Sequence, residues 1–230
     1  MNYGPTETIL MGLHGLIGTG VIVTGIAALV SRKGMRIHRL SGKIFVLQFC
    51  AMGLVIAASV AFATTELVST LGILFTALTI YLVATSWATV KTPPLTLNYF
   101  SYAAPIVVGA IGALALFWGW QAQTGRHVVA DDIPVAAYYV FAAIALLAAV
   151  GDVSILWRGG IDGVRRLLRH LWRMCFALYF SVATLFTGPG SVVFPETIRG
   201  SWPLMIPEFS VVGLTVYYVV RIIRVRRQRA

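Results

Sequence analysis

The sequence predicts an all-α protein, a polytopic transmembrane bundle of seven spans with its N-terminus outside and its C-terminus inside. Three observations predict it. Of 230 residues, 58% are hydrophobic and only 11% charged, whereas a soluble domain carries roughly 25% charged residues. The apolar residues fall into seven runs, most near the ~20 residues that a helix needs to cross a hydrocarbon core. Sixteen of the eighteen basic residues fall on one side if the first run enters from outside, as the positive-inside rule requires.

The runs are approximately Glu7 to Val30, Lys43 to Thr64, Leu67 to Val90, Tyr102 to Trp120, Val135 to Trp157, Arg169 to Thr187 and Leu204 to Val220. The first has no basic residue ahead of it and exceeds a signal-peptide core, so it reads as a retained span. The first inner connection carries Arg32, Lys33, Arg36, Arg39 and Lys43, the second Lys91, and the third Arg158, Arg165, Arg166, Arg169 and Arg173. The C-terminal tail adds five arginines, leaving Arg126 and Arg199 outside. Trp87, Trp157 and Trp172 then lie at inner ends and Trp118, Trp120 and Trp202 at outer ends, the levels that indole rings prefer. The outer connections are a turn near Thr65 and Glu66, a segment through Arg126, His127, Asp131 and Asp132, and a longer one from Gly188 to Pro203. None is long enough for a separate external domain, so 1–230 reads as one transmembrane domain. Pro105, Pro134 and Pro203 read as markers of span edges, where a missing amide costs least.

The sixth run is the most informative, because a basic amphipathic segment passes into it without a break. On a helix, His170, Met174, Ala177, Ser181, Thr184 and Gly188 share one face, and Trp172, Phe176, Tyr179, Ala183 and Phe186 the opposite one. Small residues suit helix contact, so the first face is expected to be buried, with Trp172, Tyr179 and Phe186 toward lipid or a partner subunit.

Two motifs stand out, Lys33-Gly34 with His38-Arg39 and Gly42 in the first inner connection, and Arg169-His170-Leu171-Trp172-Arg173-Met174 at the start of the sixth span. Together they resemble a family of uncharacterised bacterial inner-membrane proteins with a domain of unknown function. The resemblance implies a polytopic fold in the cytoplasmic membrane and supplies no activity.

Four histidines and one carboxylate carry the chemistry worth weighing. His38 and His170 sit at the cytoplasmic boundary beside arginines, where headgroup contact or helix capping is the ordinary role. At the same membrane level they are expected to form one polar cluster around an anion, with Arg36, Arg39, Arg166 and Arg169 as its headgroup-binding residues. The anion could be a lipid phosphate, a haem propionate or a carboxylate. His14 shares a face with Glu7, Met11, Gly18, Val21, Gly25 and Ala28, so it is expected to point into the bundle, as a cofactor ligand or a helix-to-helix hydrogen bond. His127 reads as a solvated loop residue. Asp152 lies about a turn above the inner end of the fifth span and Arg173 about a turn into the sixth, so the two are expected to pair.

Absences narrow the function. No lysine sits inside a span to form a retinal Schiff base, and no zinc-protease, nucleophile-elbow, P-loop or cysteine-rich metal pattern is present. Cys50 and Cys175 read as small apolar fillers. Clustered between apolar runs, the basic residues suit anionic lipid and not nucleic acid. Two readings survive. One is a non-catalytic membrane subunit or lipid-contacting scaffold, with lipids and other membrane subunits as partners. The other is a b-type haem or quinone-linked electron-transfer protein using His14, His38 or His170. The low histidine count, and the lack of a histidine at the depth of His14, weigh toward the first.

Overall fold

Where the apolar runs lie, the chain is helical. The computed structural model describes residues 4–62, 69–126 and 134–227. Among these are seven α-helices and no strand: α1 Pro5–Val30, α2 Arg36–Phe62, α3 Thr70–Lys91, α4 Tyr99–Gln123, α5 Ala136–Trp157, α6 Gly163–Phe186 and α7 Ile206–Arg227. Two short 3-10 helices, Pro189–Val193 and Trp202–Met205, lie between α6 and α7. The expected turn at Thr65 and Glu66, His127, Asp131, Asp132 and Arg229 lie outside the described residues.

Among the described residues six helical stretches are long and apolar enough to cross a membrane, namely α1 to α5 and Trp202–Val225, which takes in most of α7. α6 is not among them, because Arg165, Arg166, Arg169, His170 and Arg173 crowd its first half. The apolar faces of the other helices are open: Leu54, Ile106, Leu147, Val150 and Phe209 are all exposed. Apolar surface on that scale suits contact with lipid, which costs it nothing, and not with water.

Three boundaries differ from expectation. α2 begins at Arg36 and α6 at Gly163, so His38, Arg39 and Arg166 sit on helices and not in loops. α4 begins at Tyr99, which puts Pro105 inside the helix. It therefore does not mark the span edge, and Ser101 loses the amide partner that its carbonyl would otherwise have. The early start of α4 is explained by Asn98, whose side chain accepts from the Ser101 amide at 3.0 Å while the Asn98 amide donates back to Ser101 Oγ at 3.3 Å. This reciprocal pair satisfies two donors that a helix start leaves open.

The chain divides into two compact units. The first comprises 1–14, 50–81 and 91–162. Here α4 presents Ala104, Val108, Gly112, Ala115 and Gly119, and α5 presents Tyr138, Phe141, Ala142, Ala145, Ala148 and Asp152, all buried. The backbones come close because the contacts are small: a Cβ on Gly112 would lie 3.3 Å from Ala145 Cβ, and one on Gly119 3.0 Å from Tyr138 Cβ. Close approach of this kind holds apolar helices together where no hydrophobic force acts between them. Below α4 and α5 the connecting segments touch, with the Leu95 amide donating to Ile161 O at 3.3 Å. Gly160 makes that crossing possible, with φ of +137° and room for no Cβ, since one would fall 2.6 Å from Leu95 Cα. Gly160→Ala should therefore destabilise the protein by about 1–3 kcal/mol through strain and overpacking. Thermal unfolding in detergent checks this, and an unchanged midpoint would refute the crossing.

The second unit comprises 15–49, 82–90 and 163–230. It holds most of α1, the start of α2, the end of α3, and all of α6 and α7. Gly25 of α1 lets Leu178 of α6 and Phe45 of α2 reach the α1 backbone, since a Cβ there would lie 2.6 and 2.8 Å from them. Beyond α6, Arg199 donates to Phe194 O at 2.8 Å and to Val192 O at 2.9 Å. Those two bonds fold the segment from Gly188 to Pro203 onto itself.

The two-face expectation for α6 is corrected. Ala177 is buried, as expected, but Ser181 and Thr184 are only half-buried, and Arg173, Cys175, Leu178 and Val182 complete the buried set. Trp172, Tyr179 and Phe186 are half-buried rather than exposed. The rings cover one another: Trp172 meets Phe176 at 6.3 Å, and Phe176 meets Phe180 at 4.7 Å, both edge to face. From Leu168 to Phe186 no residue of α6 is exposed, so neither face is simply the lipid face.

Candidate functional site

The sixth helix carries Arg166, Arg169, His170 and Arg173 at positions 0, 3, 4 and 7 of its own count, which is one face. All four reach the last turns of α3, where Thr85, Ser86 and Thr89 are buried. Arg166 Nε donates to Thr89 O at 2.7 Å, and Arg169 Nε to Thr89 Oγ1 at 2.9 Å. His170 meets Ser86, and Arg173 donates to Thr85 Oγ1. Rising numbers on α6 meet falling numbers on α3, so the helices run antiparallel here. The end of α3 leaves carbonyls without intrahelical partners; Arg166 satisfies that of Thr89, and the charges of Arg166 and Arg169 together offset that negative helix end.

The four residues expected to hold an anion thus divide. Arg166 and Arg169 are half-buried and committed to Thr89, while Arg36 and Arg39 on α2 are exposed. At the end of α1, Lys33 donates to Ala28 O at 3.2 Å and to Leu29 O, and lies 4.2 Å from the centre of the Tyr218 ring. Lys33 as a whole is exposed, yet its ammonium is tucked against these groups. That desolvation lowers its pKa from the usual lysine range, against a smaller opposing influence of Cys175.

His38 and His170 come together. Both rings are half-buried, with centres 6.5 Å apart and planes at 82°. Each is fixed through Nδ1. His38 Nδ1 lies 2.9 Å from Ala28 O, a carbonyl that can only accept, so Nδ1 carries the proton. His170 Nδ1 lies 2.9 Å from Ser86 Oγ and 3.4 Å from Ser86 O. The Ser86 hydroxyl spends its single hydrogen on His170 O at 3.0 Å, which leaves its oxygen to accept from Nδ1–H. In the neutral state both Nε2 atoms therefore keep a free lone pair. Two imidazoles oriented through Nδ1–H to oxygen, with Nε2 unprotonated, is the arrangement of histidines that bind metals.

His14 does not join them. It is exposed, so the expectation that it points into the bundle is corrected. A Cβ added at Gly12 or Gly15 would meet nothing within 4 Å, so α1 is open at this level even though Leu10 and Val21, on the same face as His14, are buried. Asp152 and Arg173 are each buried, at 2% and 0% exposure. In the first unit Tyr81 donates to Asp152 Oδ2, and in the second Arg173 meets Thr85.

Sequence reasoning missed Thr85, Ser86 and Thr89. The available signal was a set of hydroxyls at positions 0, 1 and 4 near the end of an otherwise apolar run, but such hydroxyls commonly bond back to their own helix. Thr89 does so too, to Thr85 O at 2.7 Å. Compared with protein-family models, with curated proteins and with solved structures, the chain finds no match.

Proposed function

We propose that this chain is a seven-span electron-transfer protein of the bacterial cytoplasmic membrane, with one b-type haem held between His38 and His170. The observation that carries the reading is the pair of rings, each held through Nδ1 by an oxygen acceptor, so that Nε2 is the unprotonated nitrogen of both. Two imidazoles on one iron, with bonds of about 2 Å, place their ring centres roughly 6 Å apart, close to the 6.5 Å found. A tetrahedral metal site fits less well, because it takes three or four protein ligands, and among the described residues no three His, Cys, Asp or Glu side chains gather in this way. A haem would need no more than two ligands from the chain, and His38 and His170 are the residues that would supply them. When bound, the haem would supply one-electron chemistry; the chain's residues would hold it, and the exposed Arg36 and Arg39 would offer charge to propionates or to anionic headgroups.

The scaffold reading rested on the low histidine count and on the lack of a histidine at the depth of His14; the approach of His38 to His170 supports the haem reading without needing His14. The protein purified in detergent after haem-replete expression should show a Soret band and sharp reduced bands of a low-spin haem. A featureless spectrum would end the haem reading and return the chain to a lipid-contacting subunit.

The topology belongs to the same proposal. With α6 as a seventh span, the N-terminus lies outside, and the charge asymmetry puts His38 and His170 at the cytoplasmic face. A phosphatase fused after residue 230 should be inactive and a fluorescent protein there bright. The reverse result would overturn both the orientation and the placing of the site.

A further inference from the structure

We infer that Ser86 is the positioning residue that sets the plane and the tautomer of His170, and with them the perpendicular arrangement of the two imidazoles. The inference rests on the haem reading for its spectroscopic consequence and on geometry alone for its tautomeric one. Ser86 is fully buried. Its hydroxyl donates to the backbone carbonyl of His170 at 3.0 Å and accepts from Nδ1 of the same residue at 2.9 Å. The two bonds grip one residue at two points, so they fix how far the ring turns about its side-chain torsions as well as which nitrogen holds the proton. The backbone carbonyl of Ser86, 3.4 Å from Nδ1, adds a second acceptor in the same direction. His38 takes its direction from a different helix, through Ala28 O. With each ring steered by its own acceptor, the planes are left at 82°.

The consequence is specific. Iron between parallel imidazoles and iron between perpendicular ones differ in the splitting of the d orbitals that interact with the rings. A low-spin ferric haem with crossed rings gives a strongly anisotropic electron paramagnetic resonance signal with a single prominent low-field feature. Parallel rings give a rhombic three-line spectrum. Ser86 is thus assigned a role that a purely packing residue would not have, since the spectrum reads ring orientation and not stability. Outer partners of metal-bound histidines also matter for retention, and their loss typically costs roughly 10–100-fold in affinity.

The experiment compares the full-length protein with Ser86→Ala, Ser86→Thr and Ser86→Cys variants in detergent. Two readouts are taken: the ferric resonance spectrum of the haem-loaded protein, and the histidine 15N spectrum of the haem-free protein. Wild type and Ser86→Thr should both show the anisotropic signal and His170 with its proton on Nδ1. Ser86→Ala should shift toward the rhombic or high-spin signal, hold haem roughly 10–100-fold more weakly, and show a mixture of His170 tautomers. Ser86→Cys keeps the volume and weakens the acceptor, so it should fall between, and it carries the test if the alanine variant does not fold. A haem-loaded Ser86→Ala or Ser86→Cys protein with the wild-type signal and an unmixed tautomer would overturn the inference. A wild type that takes up no haem would overturn the haem reading instead, and the 15N comparison would still decide the assignment of Ser86.

Discussion

Replacing His170 by alanine is expected to abolish the low-spin haem spectrum, and replacing His38 is expected to do the same. The double variant should be no worse than either single one. The reason is that the pair acts as a unit: one iron needs both axial nitrogens, so the loss of the second ring removes nothing that the first loss left intact. Each single variant may be offered imidazole in the medium, which can enter the vacated position and restore the low-spin bands. Absorption spectra of the three variants and of wild type, purified in parallel with and without imidazole, make the measurement. If either single variant keeps the wild-type spectrum, that histidine is not an axial ligand and the haem site lies elsewhere. Strictly additive effects of the two substitutions on stability, with no spectral change, would reduce the pair to two independent helix contacts.

Arg173→Leu is expected to be the most destabilising single substitution in the chain, by about 3–5 kcal/mol, the range for breaking a buried charge arrangement from one side. Its guanidinium is at 0% exposure, donates to Thr85 Oγ1 and lies 5.3 Å from the Trp172 ring centre. A buried guanidinium is costly to desolvate, so the surrounding groups must return that cost. We propose, as the sequence suggests, that Asp152 is its counter-charge. The test is a double-mutant cycle with Asp152→Asn, read by thermal or dodecyl sulfate unfolding in micelles. If the two charges compensate, the double variant should be less destabilised than the sum of the singles by roughly 0.5–3 kcal/mol. Additivity would show that Tyr81 and Thr85 suffice for the two charges separately. A mild Arg173→Leu variant would refute the argument about the buried charge as a whole.

Much of the fold was legible in the sequence. Span positions follow from runs of apolar residues, a local property, and the observed helices agree to within a few residues for the first, third and fifth runs, whereas α7 continues past Val220 to Arg227. Two starts were read late, at Arg36 and Gly163, because basic residues look like loop residues when hydropathy is the guide. They are in fact compatible with a helix, and on α6 two of them, Arg166 and Arg169, hold the end of α3. The fourth start was misread for a different reason: Pro105 resembles a helix edge, but the Asn98–Ser101 cap begins the helix earlier and the tertiary fold tolerates one lost bond. His14 was misread because its face is buried at Leu10 and Val21 but open at the level of His14 itself, which periodicity along one helix cannot show.

The sequence by itself determined the helical class, the lengths of the spans and the asymmetry of charge, since each depends on residues within one turn or one run of each other. It also singled out His38 and His170 as a pair at one level, because helix direction and basic flanks set depth. Only the tertiary structure decided the register of α6 against α3. Ser86 and His170 are 84 positions apart, and nothing local to either distinguishes a hydroxyl that bonds within its own helix from one that reaches a neighbour. The same holds for the exposure of His14, for the enclosure of the aromatic face of α6, and for which nitrogen of each imidazole carries its proton. Those follow from which groups meet across helices, where the backbone carbonyl of Ala28 directs His38 and Ser86, through its hydroxyl and carbonyl, directs His170.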